Sequence, residues 1–195
     1  MSIILGSQSP RRKEIMEFFS LPFKQVPAHF DEESLLFEGD PALHATILSQ
    51  KKAEVLVEKF PHDIIVTADT VVFFNGKLYN KPVDREEAFS FLKAFSGKKQ
   101  KVITAVTVRQ GEKIYSQHEE TLLVFNSLTD EEIRKFHTHC HSLDKAGGFA
   151  IEKGGSLVIS KMEGCYYNVL GLPINTLSTL LLNVGINLWD YLKEF

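Results

Sequence analysis

Apolar and polar positions along this chain switch repeatedly between the period of a strand and that of a helix. Ile3-Ile4-Leu5 is a short apolar run closed by Gly6, which predicts a buried strand. Ser9 before Pro10 is an N-cap followed by proline at the first helical position, and predicts a helix to about Phe19. Asp40-Pro41 repeats the signal for a second helix to about Phe60. Ile64 to Phe74 is an eleven-residue β run, and Asn75-Gly76 turns it into a hairpin with Lys77 to Lys81 as the return strand. Asp84-Arg85-Glu86-Glu87 resembles a capping box ahead of Ala88, Phe91, Leu92 and Phe95, which share one helical face ending at Gly97.

Strands follow at about 101–109 and 113–125, turning at Gln110-Gly111. Thr129 opens a short helix to about His137, a Gly-rich segment covers 144–155, a strand follows at about 156–161, and a last helix runs from Pro173 to before Gly185. Interleaved strands and helices define an α/β protein: a mixed twisted sheet with hairpins, flanked by helices. No segment has the composition of a linker, so residues 1–195 are read as one domain.

Composition narrows the classes. The net charge of −3 gives no general excess for neutralising a nucleic-acid backbone. Two cysteines, Cys140 and Cys165, make no disulfide framework and suggest a reducing compartment. No run of 18 apolar residues predicts a membrane span, and the N-terminal apolar run is too short for a signal peptide. A cytoplasmic protein is expected.

Three places carry candidate chemistry. Ser7, Ser9, Arg11 and Arg12 lie on the turn after the first strand and on the first helical turn. Free N–H groups there attract anions, Gly6 permits close backbone approach, and two guanidinium forks suit phosphate. The alternative is a solvated Arg pair beside an ordinary cap. Asp69 interrupts an apolar strand and requires a cation. In a two-residue hairpin, paired residue numbers sum to 151, which brings Lys81 within about one position of Asp69. That pair is either a structural ion pair or a metal-binding or general-base carboxylate beside a phosphate-binding lysine. Lys52 shares a helical face with Leu48 and Leu56, and Glu32 lies in the acidic loop Asp31-Glu32-Glu33. Glu32 and Asp69 together could hold Mg²⁺, which favours one or two protein carboxylates plus phosphate oxygens. His137, His139, Cys140 and His141 match no zinc spacing and are read as an exposed loop without metal.

Leu5-Gly6-Ser7-Gln8-Ser9-Pro10-Arg11-Arg12 resembles the opening signature of the Maf family of nucleotide pyrophosphatases, the septum formation inhibitor proteins. Phe30-Asp31-Glu32, Lys51-Lys52-Ala53, Ala68-Asp69-Thr70-Val71-Val72, Asn80-Lys81-Pro82, Ser96-Gly97, Asp144-Lys145-Ala146-Gly147-Gly148-Phe149 and Gly171-Leu172-Pro173 resemble further family segments in order. The resemblance implies two lobes around a central cleft and a divalent metal, Mg²⁺ or Mn²⁺. It implies hydrolysis of a nucleoside triphosphate to monophosphate and pyrophosphate, in nucleotide housecleaning linked to arrest of division.

The Asp-Lys-Ala-Gly-Gly form resembles the dTTP/UTP branch. Asp69 is there the proton acceptor, and Arg11, Thr70 and a Gln influence base choice. Here Glu152 stands where that branch usually has Gln. The expected site is Asp69, Lys52, Lys81 and Glu32 for catalysis, with Ser7, Arg11, Arg12, Thr70 and Glu152 binding substrate. The alternatives are a 7-methyl-GTP-preferring enzyme of the same family and a non-catalytic nucleotide- or nucleic-acid-binding regulator of septation. No stable nucleic-acid complex and no membrane partner are expected, and a homodimer is left open.

Overall fold

A computed structural model describes residues 2–194, with Glu33 described by its backbone alone. The elements in chain order are β1 (Ile3–Gly6), α1 (Pro10–Met16), β2 (Phe23–Gln25), α2 (Pro41–Val57), β3 (Ile64–Phe74), β4 (Lys77–Leu78), α3 (Arg85–Phe95), β5 (Lys99–Gln110), β6 (Lys113–Phe125), α4 (Asp130–His139), β7 (Ile159–Glu163), α5 (Tyr166–Leu170) and α6 (Ile174–Leu182). They form a seven-stranded sheet in the order β2-β1-β3-β5-β6-β7, with β4 on β3. β1 runs parallel to β2 and β3, and the remaining pairs are antiparallel. The expected mixed α/β sheet with hairpins is the observed one. No helix of the described residues is long and apolar enough to cross a membrane.

Side chains alternate across β3, and both faces are covered, so its sequence is almost continuously apolar. On one face Val66 and Ala68 join Ile3, Leu5, Ile15, Val106, Leu172 and Leu177 in a core under α1 and α6. Further along the same face Val72 and Phe74 join Leu92, Phe95, Leu123, Phe125, Ile133 and Phe136 under α3 and α4. On the other face Ile65 packs with Ala53 and Leu56 of α2. A buried hydroxyl string fixes α2 to the sheet there. Thr67 Oγ1 donates to Ser49 O (2.6 Å), Ser49 Oγ donates to Thr46 O (2.8 Å), and Ser49 Oγ meets Thr107 Oγ1 at 2.7 Å. Since Ser49 spends its one proton on Thr46, Thr107 is the donor to Ser49.

Several boundaries differ from expectation. α1 ends at Met16, not Phe19, because Phe19 turns away to bridge Leu192 near the C-terminus and packs into the core. α2 ends at Val57 rather than Phe60. The return strand β4 is only two residues long. Tyr79 N still donates to Val72 O, but Tyr79 O and Asn80 O accept from Gly147 N, which draws the chain off the ladder before Lys81. Residues Lys153–Leu157 wind as a 3₁₀ turn, so the next strand starts at Ile159. His137 and His139 lie in α4, not in an exposed loop. His137 Nε2 meets Gly148 O at 3.0 Å, so a tertiary contact extends the helix. β2 and α5 were not anticipated.

Candidate active site

β1 pairs with β3 only from Ile64 to Thr67, and β4 takes up β3 again at Phe73. Between these ladders the same edge of β3, Ala68 to Val72, is open to groups other than strands. The gap lies beyond the C-terminal end of a parallel strand, where α/β sheets commonly bind ligands. Asp69 and Thr70 lie on this stretch, and Arg12 binds to it.

Asp69 faces α2 because it shares the parity of Ile65 and Thr67 on β3. Lys52 faces Asp69 because it is one turn on from Leu48 and Ser49, both buried against the sheet. Lys52 Nζ lies 2.5 Å from Asp69 Oδ1 and 2.8 Å from Glu32 Oε1. The Lys52 and Asp69 side chains are 10% and 9% exposed, that of Glu32 55%. One ammonium therefore ties a buried strand carboxylate to an acidic loop. Glu32 opens a 3₁₀ turn, Glu32–Ser34. Burial acts to raise the Glu32 carboxyl, but Lys52 (by charge and hydrogen bond), then Lys81 and Arg12, outweigh it and hold the group below the ordinary carboxylate range.

Lys81 is exposed and outside the β3–β4 ladder. The register sum of 151 holds for Phe74–Lys77 and Phe73–Leu78 and does not reach Lys81. Asp69 is paired with Lys52 of α2, not with Lys81 as the hairpin register implied. The Lys81 charge contributes to holding the Glu32 carboxyl down.

Arg12 fills the gap in the β3 edge. Its Nη1 donates to Ala68 O (2.8 Å) and Ser7 Oγ (3.4 Å), Nη2 to Thr70 Oγ1 (3.0 Å), and Nε to Gly171 O (2.7 Å). Four of its five N–H groups are thus engaged with the protein. Burial, together with Arg11, lowers the Arg12 guanidinium from its ordinary value, against the opposing pull of Asp69 and Glu32. Gly171 caps α5 in the left-handed conformation, φ 101°. A Cβ at this position would stand 3.1 Å from Thr70 Oγ1 and 3.3 Å from Arg12 Nε, so only glycine lets the three groups meet without a shift.

The Thr70 hydroxyl has a determined direction. Thr104 Oγ1 gives its single proton to Asn168 O (2.7 Å), so in the 2.9 Å contact between the two threonines Thr70 donates. Thr70 also accepts from Arg12, which leaves only one lone pair for a ligand. Asn168 is fully buried, and its Nδ2 donates to Val102 O (2.9 Å) and Thr121 Oγ1 (2.8 Å). This network was not anticipated; its one sequence signal is a lone polar residue in Tyr166-Tyr167-Asn168-Val169-Leu170.

Ser7 is buried, and its Oγ accepts from Ser9 N at 3.1 Å. Ser9 Oγ caps α1 by accepting from Arg12 N. Gly6 admits a close approach, but by the protein itself: a Cβ there would stand 2.4 Å from Leu56 Cδ1 and 2.6 Å from Thr67 Cγ2. Arg11 points elsewhere than Arg12 and pairs with Glu152 (Nη1 to Oε1, 3.4 Å). Glu152 Oε2 is buried without a hydrogen-bond partner.

Glu32 and Asp69 fit a divalent cation. Their oxygens already converge on one positive charge, and Mg²⁺ is commonly held by one or two protein carboxylates plus phosphate oxygens. Among the described residues no group of three or more His, Cys, Asp or Glu is placed to hold a metal. An ion on Glu32 and Asp69 would take its remaining ligands from phosphate and water. An apolar cavity of about 480 Å³, lined by Phe18, Tyr167, Ile174, Leu188, Trp189 and Leu192 among others, does not include these charged residues.

The family model described as Maf-like protein matches residues 2–184. The chain belongs to the Maf family. It is 44% identical over 97% of both chains to the dTTP/UTP pyrophosphatase of Chlamydia caviae, and 40% identical over the same share to that of Chlamydia trachomatis serovar D. A relative from Chlamydia pneumoniae, named nucleoside triphosphate pyrophosphatase, is 36% identical over 98% of both chains. Among solved structures the Staphylococcus aureus Ham1 protein is similar in fold, with a TM-score of 0.53 at 11% identity, over 94% of this chain and 100% of that one.

Proposed function

We propose that this Maf-family chain hydrolyses dTTP and UTP to the monophosphate and pyrophosphate. The observation that carries the reading is the convergence of Lys52, Asp69 and Glu32 beside the Arg12 clamp at the open edge of β3. The names borne by its chlamydial relatives support the substrate class.

Asp69 is held in place by the β3 ladder and by Lys52, and it accepts the proton of the attacking water. Lys52 and Lys81 neutralise triphosphate charge, with Ser7 as a further contact and Glu32 keeping the acidic loop over the site. Arg11, Thr70 and Glu152 face the nucleoside end. Arg12 contributes one remaining N–H and, above all, the rigid placement of Ala68, Thr70 and Gly171, which flank Asp69 and the gap. Phosphoryl transfer depends chiefly on such positioning and charge neutralisation. A Mg²⁺ or Mn²⁺ ion held by Glu32 and Asp69 would supply charge neutralisation at the phosphate oxygens.

A nucleotide screen tests this reading. Purified protein is incubated with dTTP, UTP, CTP, dATP, dGTP and 7-methyl-GTP under Mg²⁺ or Mn²⁺, and pyrophosphate is measured. Preference for dTTP and UTP is expected. Pyrophosphate from 7-methyl-GTP alone would move the protein to another branch, and none from any substrate would reject turnover.

A further inference from the structure

The strands at the two ends of the sheet are short, three residues in β2 and five in β7. β6 is long, and part of it is an edge as well. β5 pairs with it from Lys113 to Val124, whereas β7 pairs with its other side only from Leu122 onward. Gly164, just after β7, still lies over the next position: a Cβ there would stand 3.0 Å from Glu120 O. From Lys113 to Glu119 that side of β6 has no neighbouring strand among the described residues.

The backbone groups of this edge have a determined direction. Gln110 and Lys113 close a two-residue hairpin loop and form the first pair of the β5–β6 ladder. Such a closing pair exchanges both backbone bonds, and bonded and non-bonded pairs alternate from there. Lys113, Tyr115, Gln117 and Glu119 therefore turn N–H and C=O toward β5, and Ile114, Ser116 and His118 turn theirs outward. The far end of the strand keeps this parity: Phe125 N donates to Lys98 O on the β5 side, and Asn126 N to Val158 O on the other. Outside the ladder no backbone bond reaches Ile114, Ser116 or His118. The segment has no proline and its register with β5 is unbroken, so two common guards against edge pairing are missing.

We propose that this edge joins two copies of the chain, β6 against β6, antiparallel about a two-fold axis at Ser116. Directly opposed residues share a face of the sheet, so an axis perpendicular to the sheet passes at a residue and not between two. With the axis at Ser116, Lys113 stands opposite Glu119 of the partner subunit, and the same ion pair forms again at the other end. Ile114, itself 43% exposed, faces His118 of the partner subunit, and Tyr115 faces Gln117 of the partner subunit. Lys113 has no ion pair within its own chain among the described residues. Glu119 accepts from Thr176 Oγ1 through Oε2 (3.2 Å), which leaves Oε1 for the partner's Lys113. An axis at Tyr115 or at Gln117 makes neither ion pair. The pairing also fills the open edge from end to end, and it stops short of Glu112 and Glu120, which would otherwise oppose each other.

The test is sedimentation equilibrium of the whole chain and three variants, up to about 100 μM. His118→Pro removes an outward N–H that the single chain does not use, and proline is tolerated on such an edge. Lys113→Glu sets like charges opposite each other, and Lys113→Glu with Glu119→Lys restores opposite ones. The wild type should dimerise, and His118→Pro should be monomeric with an unchanged circular dichroism spectrum. Lys113→Glu should raise the dissociation constant by about tenfold or more, and the double variant should bring it back toward wild type. A wild type that stays monomeric, or a folded His118→Pro that dimerises as the wild type does, would overturn the interface. Should His118→Pro not fold, the charge swap decides: a double variant no tighter than Lys113→Glu would overturn it.

Discussion

Lys52 reaches across from a helix to donate to Asp69 of the central strand at 2.5 Å, with both side chains nearly excluded from solvent. Two opposite charges in such a place are interdependent: removing either leaves the other buried and uncompensated, at a cost of about 3–5 kcal/mol. Glu32 shares the same ammonium and makes the two losses unequal. Loss of Asp69 leaves Lys52 one carboxylate, whereas loss of Lys52 leaves two carboxylates and no cation between them.

Asp69→Asn is expected to keep the fold and lose turnover. The amide is nearly isosteric and can still accept from Lys52, but it cannot take up a proton or supply negative charge. Removal of a general base is worth about 10²–10⁴-fold. The check is pyrophosphate release together with a thermal melt, and near-wild-type turnover in a folded Asp69→Asn protein would refute the assignment.

Gly171→Ala is expected to act on the site through Arg12. The left-handed backbone conformation costs a non-glycine residue about 1–3 kcal/mol, and the added methyl crowds Thr70 Oγ1 and Arg12 Nε. Both the melting temperature and kcat/KM should fall. Arg12→Lys should show the same pair of losses, because one ammonium cannot span Ala68 O, Thr70 Oγ1 and Gly171 O. Unchanged kcat/KM in both variants would show that the clamp does not position the site.

Glu152→Gln is expected to raise kcat/KM on dTTP and UTP relative to CTP and 7-methyl-GTP. A thymine or uracil edge offers two carbonyl acceptors beside one N–H donor. The carboxylate serves only the N–H, whereas an amide serves both kinds of group. The substitution also releases Arg11 from its 3.4 Å ion pair. A shift of about tenfold is the expected scale. An identical order of preference in the two proteins would remove Glu152 from base selection.

The histidines separate into two groups. His139 and His141 are exposed, and replacing them by alanine should leave metal-dependent activity intact. His137 is half-buried against Gly148 O, and burial lowers its pKa from the usual 6.5; Arg85 also lowers it, while the backbone bond opposes both. A histidine depressed in the folded state contributes stability that is present above its unfolded value and lost as pH falls toward the folded value. The melting temperature should therefore decline as pH drops below about 6.5, and part of that decline should vanish in His137→Gln. Equal pH slopes for wild type and His137→Gln between pH 7 and 5 would contradict this.

Much of the scaffold was legible because it is periodic or locally capped. Ile64 to Phe74 matched the observed β3 end to end, and the helix read as opening at Thr129 does so, with a Thr129–Glu132 capping box that the sequence reading did not name. The capping box at Asp84 formed in altered form. Glu87 N donates to Asp84, but the Glu87 carboxylate accepts from Val83 N, one residue earlier than the motif requires. Lys52 could be placed from helix register alone, since its neighbours Leu48 and Leu56 define the buried face. The partner of Asp69 could not, because the hairpin argument assumed a ladder longer than the two pairs that form. The partners of Arg12 lie 5 to 159 residues away in the chain, a distance no local pattern encodes. α5 and β2 were missed because five and three residues are too few to establish a period.

The bond that is cut is the most direct test of the account. ³¹P NMR of a dTTP reaction with Mg²⁺, run without added phosphatases, resolves the products. The account predicts dTMP and pyrophosphate in equal amounts, with no dTDP at any time. Appearance of dTDP with orthophosphate would contradict it.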